Sequence, residues 1–189
     1  MRYIAHMIKR SGIINFSVAA LLTFASMATA QTAELDGLFD ELAQAGPEEA
    51  RRIEGQIDTA WSRSGSPAMD LLLKRGTDAL EAGDLDAALD HFGALVDHDP
   101  TFAEGYSGRA TALYLTGRIG PALADIRTAL VLNPRHFVAM RGLAVILEEV
   151  DQPREALEVY RSVLALNPHA EGVADAILRL EIALDGQTL

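Results

Sequence analysis

Four histidines lie beyond residue 30, at His91, His98, His136 and His169, and with the acidic pairs Asp84-Leu85-Asp86 and Asp97-His98-Asp99 they are the side chains here whose types suit metal binding or proton transfer. Zinc needs its ligands gathered about 2 Å from one ion, so the histidines matter only if the fold brings them together. The acidic pairs open like a calcium loop but lack its later ligand positions and its closing glutamate. They suit helix caps and turns better. No glycine-rich phosphate loop and no G-x-S-x-G elbow occurs. The sequence therefore predicts no catalytic residue, no metal and no cofactor: the chain is not an enzyme.

The elements that would position these residues repeat. Pro100, Pro134 and Pro168 fall 34 residues apart and close the phrases HDP, LNP and LNP, and a fixed period of this length marks a repeat architecture. Columns fill on that register. Twelve residues before the prolines stand Ala88, Ala122 and Ala156; eight before, Phe92, Ile126 and Tyr160; twenty-four before, Gly76, Ala110 and Ala144. Turn formers Gly83, Gly117 and Asp151 separate two helical stripes in each unit. Leu72, Gly76 and Ala79 recur at i, i+4 and i+7 on the first stripe, and Ala88, Phe92 and Leu95 on the second. Each unit is thus a helical hairpin. Its small residues let two axes approach, and its large apolar ones fill the space beside them. Each proline starts the next unit because it cannot donate to the helix ending before it.

Residues 69–168 with these columns resemble three consecutive tetratricopeptide (TPR) repeats, at about 69–102, 103–136 and 137–168 within a segment 67–168. The resemblance implies an all-α, right-handed solenoid in which the first helix of each pair lines a concave face that binds a peptide or protein. It implies no chemistry. Equivalent loops of neighbouring repeats would lie about 10 Å apart, too far for the loop histidines to share a metal. The concave positions carry over to Asp70, Leu73, Thr77, Leu80 and Glu81; to Glu104, Ser107, Thr111, Tyr114 and Leu115; and to Val138, Arg141, Val145, Glu148 and Glu149. Tyr114 is either an anchor for a partner side chain or packing between repeats. The family's clamp for a C-terminal carboxylate uses lysine, arginine and asparagine at such positions, and this chain has Thr77 and Thr111 where asparagine would stand. An acidic and apolar lining suits a partner with apolar and basic side chains.

Two columns carry a structural expectation of their own. Twenty-five residues before the prolines stand Arg75, Arg109 and Leu143, and nine before stand His91, Asp125 and Val159. Polar faces polar and apolar faces apolar, so Arg109 is expected to pair with Asp125 as a half-buried guanidinium requires.

The flanks read separately. Arg2, Lys9 and Arg10, the apolar run Ile13 to Met27 and Ala28-Thr29-Ala30 resemble a bacterial secretory signal cleaved after Ala30. The run is shorter than the roughly 20 residues that span a bilayer. The expected location is the periplasm or beyond, with no membrane attachment after cleavage. Removing those three cations from 16 basic residues against 27 acidic ones leaves a net charge of −14, which disfavours nucleic acid and anionic lipid as partners. Cysteine is absent, so packing alone must hold the fold. Residues 31–66 form a helical hairpin, with the stripe Leu35, Leu38, Phe39 and Leu42 before Gly46-Pro47 and Ile53, Ile57 and Trp61 after it; it is expected to cover the open end of the first repeat. Trp61 is otherwise a docking surface. Residues 169–189 supply a helix and tail, with Val173, Ile177 and Leu180 capping the third repeat. The chain is then a cell-envelope interaction module or scaffold, or else a self-associating structural subunit. The sequence leaves its oligomeric state open.

Overall fold

The structure, a computed structural model, describes residues 33–186; the segment 1–30 expected to be a signal and the last three residues lie outside them. The described residues are helical, with no strand among them. Helix α1 spans 33–44, followed by α2 (Pro47–Trp61), α3 (Pro67–Glu81), α4 (Leu85–His98), α5 (Ala103–Leu115), α6 (Ile119–Leu132), α7 (Phe137–Glu149), α8 (Pro153–Leu166) and α9 (Val173–Gly186). Helices α3–α4, α5–α6 and α7–α8 pack as hairpins, each hairpin packs on the next, and α9 packs on α8. No described helix is long and apolar enough to cross a membrane.

The repeat punctuation has a plain backbone cause. The first helix of each pair ends in the same two hydrogen bonds: Gly83 N–H to Leu80 O and Asp84 N–H to Ala79 O, Gly117 to Tyr114 and Arg118 to Leu113, Asp151 to Glu148 and Gln152 to Leu147. This closure needs a left-handed residue. Gly83 and Gly117 adopt it at φ 74°, and Asp151 at φ 59°. The second helix of each pair ends before the proline, where the side chains of Asp99, Asn133 and Asn167 accept from the backbone two residues on. That exchange replaces the helical bonds the prolines cannot make.

The alanine column lies where the paired helices cross: Ala88, Ala122 and Ala156 are fully buried. Arg109 meets Asp125 as its column implied, with Nε 2.6 Å and Nη2 2.8 Å from the two carboxylate oxygens. The Asp125 hydrogen bond is also the main cause that raises the arginine above its ordinary pKa. Leu143 and Val159 in the next repeat pack on a shared apolar cluster.

The N-terminal hairpin does not cover the first repeat. It lies along the edge formed by the second and third proline loops, in one apolar cluster with α7, α8 and α9. Trp61 stacks 4.7 Å from the His136 ring and 5.2 Å from Phe137, which Phe39 meets edge-on at 6.2 Å. Polar contacts fasten the rim: Asp36 to Arg135 at 2.8 Å, Asn167 Nδ2 to Glu54 at 2.7 Å, and His169 Nε2 to the Ala45 carbonyl oxygen at 2.8 Å. The physical reason is the pair His136-Phe137, an aromatic platform that the first repeat lacks. Trp61 is thereby a packing residue. The open end of the first repeat keeps Leu71 47% exposed.

Because Ala122 is fully buried in the apolar cluster of α5 and α6, Ala122→Leu overpacks it and lowers stability by about 1–3 kcal/mol. Thermal denaturation reads this directly, and an unchanged melting temperature contradicts the crossing.

Candidate functional site

The first helices α3, α5 and α7 share one face, and between α5 and α7 that face holds a recess of about 270 Å³. Its walls are Ser107, Ala110, Thr111 and Tyr114 from α5 and Val138, Arg141, Gly142 and Val145 from α7, with Ile126 of α6 and Ile146 at its base. The recess follows from one column of the repeat. In the first repeat Phe92 fills the equivalent space: a Cβ on Gly76 would lie 2.6 Å from its ring, and one on Gly108 would also overlap it. Glycine there makes room for an aromatic ring. In the second repeat the ring is replaced by Ile126, yet the partner position keeps a glycine, Gly142, whose Cβ would meet only Ile126 Cδ1 at 3.7 Å. In the third repeat Tyr160 restores an aromatic and is buried.

The concave residues expected from sequence divide into two groups. Ser107, Thr111, Tyr114, Val138, Arg141 and Val145 come together around the recess. Several of the others are held by the protein itself. Asp70 accepts from the Ser64 N–H and hydroxyl at 2.9 and 2.6 Å, so it closes the turn before α3. Glu104 lies under the brace formed by α1 and α2; its Oε1 faces His136 Nε2 at 3.0 Å but out of line for a hydrogen bond. The other nitrogen of His136 accepts from the Ala139 N–H and caps α7. Glu148 accepts from Tyr160 at 2.8 Å and from Arg179 of α9 at 2.6 Å. Leu73 and Leu80 pack half-buried against the Phe92 cluster. Thr77 and Glu81 remain exposed on α3, Thr77 returning its hydroxyl to the Leu73 carbonyl. Leu115 is also exposed, at the end of α5.

The electrostatics follow from these pairings. Hydrogen bonding from Arg179, aided by Tyr160, holds Glu148 below the usual carboxylate range. Burial, then the bond to Glu148, pushes the Tyr160 phenol well up. Tyr114 donates its hydroxyl to Glu149 across the recess, which raises its pKa. Among the described residues lining the recess, Arg141 is the sole charged group, and no ion pair engages it. Of the acids expected to make the groove acidic, Asp70, Glu148 and Glu149 are thus held by internal hydrogen bonds, and none of them lines the recess. Sequence reasoning missed this because the partners Arg179 and Ser64 lie outside the repeat register.

His91 and His98 lie on α4, His136 caps α7 and His169 follows α8, and no group of three or more metal-ligating side chains gathers among the described residues.

Comparisons with known proteins agree with this geometry. The family described as tetratricopeptide repeat matches residues 73–122. A TPR repeat-containing protein of Rhizobium etli is 32% identical over 71% of this chain, which spans 66% of that relative, about two thirds of its length. Tetratricopeptide repeat protein 36 of Mus musculus is 35% identical, covering 71% of this chain and 76% of its own length. The same-named protein of Homo sapiens is 31% identical, covering 65% and 74%. Among solved structures, the first TPR of Spaghetti (RPAP3) bound to the HSP90 peptide SRMEEVD superposes with a TM-score of 0.60 at 23% identity over 64% of this chain and 95% of that one. The Sgt2 TPR domain from Aspergillus fumigatus gives 0.60 at 19% identity over 65% and 83%. These structures share the fold.

The Glu148 pairing yields a pH dependence. A carboxyl with a depressed folded-state pKa stabilises the fold fully above its unfolded value near 4.5, and that contribution disappears as pH falls through the lower folded value. Glu148→Gln therefore lowers stability by about 1 kcal/mol at pH 7 and leaves less acid sensitivity below pH 4.5. Urea denaturation at pH 7 and pH 3.5 measures both changes. Equal losses at the two values contradict the pairing.

Proposed function

The chain belongs to the tetratricopeptide-repeat family, and from that premise we propose that it is a non-catalytic interaction module of the bacterial cell envelope that receives a peptide or protein segment on its concave face between α5 and α7. The observation that supports this most is the apolar recess, set on the face formed by the first helices and lined by residues with few internal polar obligations. Concave apolar sites with a few convergent polar groups are where proteins hold ligands. One structural relative is described as bound to an HSP90 peptide, which supports a peptide as the kind of ligand. Thr77 and Thr111 depart from the carboxylate clamp, so chaperone tails are not carried over. The cell-envelope setting rests on the leader read in the first thirty residues.

A second reading has its own observation. On α9, Leu178 is 58% and Ile182 66% exposed one turn apart, an apolar stripe on the last described helix that suits self-association. Light scattering over a range of concentrations separates a monomer from an oligomer.

The groove reading is tested by panning a displayed random-peptide library against residues 31–189 and measuring the enriched peptides on variants. Thr111→Glu, on the exposed concave side, weakens them at least tenfold. Val131→Glu, at a site 79% exposed on α6, leaves them unchanged. Enriched peptides indifferent to Thr111→Glu overturn the concave assignment.

A further inference from the structure

The recess between α5 and α7 is a vacancy in an internal pattern, and the pattern says what shape completes it. Three equivalent positions carry Phe92, Ile126 and Tyr160. The flanking repeats bury their own aromatic ring there, both rings 4% exposed or less. Only the middle repeat supplies an aliphatic side chain, while retaining Gly142 and Ala110 on the facing helices. An engineered apolar cavity of about 150 Å³ suffices for benzene, so about 270 Å³ accommodates a phenyl ring with its methylene. Beside the recess stands Arg141, exposed and without an ion pair among the described residues, while Tyr114 is already donating to Glu149. Glu148 is occupied by Tyr160 and Arg179, and Glu104 lies buried against His136, away from the recess lining.

Building on the interaction reading above, we propose that the site takes an aromatic side chain with a carboxylate close by. The ring enters from the partner and occupies the place that Phe92 and Tyr160 fill in their own repeats; the carboxylate meets Arg141. This reverses the charge preference that sequence alone suggested, because charge complementarity at a contact depends on which ions remain unpaired rather than on their count. The long-range field of an acidic chain is screened within about 8 Å at physiological salt, whereas a guanidinium in contact with a carboxylate makes directed hydrogen bonds.

The probes are 3-phenylpropionate, which joins a ring to a carboxylate, and 3-phenylpropylamine, which joins it to an ammonium. Binding to the chain from residue 31 is followed by methyl NMR at Ile126, Val138, Val145 and Ile146. The expected result is millimolar binding of 3-phenylpropionate with shifts centred on Ile126, and at least fivefold weaker binding of the amine. Ile126→Phe fills the recess and removes binding of both. Gly142→Ala adds a methyl at ordinary contact distance and raises helix propensity, so it keeps the fold and weakens binding severalfold even if Ile126→Phe misfolds. Arg141→Gln equalises the two probes. Absence of 3-phenylpropionate binding, or binding indifferent to Gly142→Ala, overturns the ring site. Preference for the amine overturns the charge assignment. Library peptides that need Thr111 but ignore Gly142→Ala leave the concave reading standing while this inference falls.

Discussion

Close helix crossing at Ala88, Ala122 and Ala156 is the constraint on which the rest of the solenoid depends. With a fully buried methyl as the side chain at this column in each pair, the two helices can approach closely there, and the space one turn further along becomes fixed in size. Whatever residue stands there must seat the next repeat. Phe92 does so by pressing its ring against positions cleared by Gly76 and Gly108. Ile126 reaches less far and leaves the face between α5 and α7 indented. The recess is therefore a consequence of the repeat geometry meeting one smaller side chain, with no loop or insertion required.

The brace formed by α1 and α2 acts on the same helices from another side. Trp61 grips the head of α7 through His136 and Phe137, and the polar contacts of Asp36, Ala45 and Glu54 secure the second and third proline loops. A solenoid otherwise holds its curvature only through neighbouring contacts. Here one hairpin ties two repeat junctions together along an edge, leaving the recess open beside them. At the far end, Arg179 and Arg161 of the third repeat's surroundings pair with Glu148 and Glu181, joining α9 to α7 and α8. The pocket thus lies between two repeats that are fastened on both flanks.

How much of this was legible depends on where the partner of each residue lies. The hairpins, their turns and the Arg109–Asp125 pair could be read because each involves residues compared column by column at one period. The docking place of the N-terminal hairpin could not, since its contacts cross 113 residues between Glu54 and Asn167 and depend on His136-Phe137, which occurs in only one repeat. The same limit hid the pairing of Glu148 with Arg179 of α9, and with it part of the charge of the groove. The recess is the opposite case. Its signal stood in the column Phe92, Ile126, Tyr160, and became meaningful only once the glycine facing Ile126 was seen to have nothing pressed against it.

The middle repeat lacks the ring its neighbours supply, so that a filled junction and an open one sit side by side on the same face. A crystal held under xenon pressure tests it most directly, because xenon occupies apolar space without needing any polar partner. Xenon density is expected between α5 and α7 against Ile126 and Gly142, and none between α3 and α5 where Phe92 stands. Density at the Phe92 junction, or none at Ile126, contradicts it.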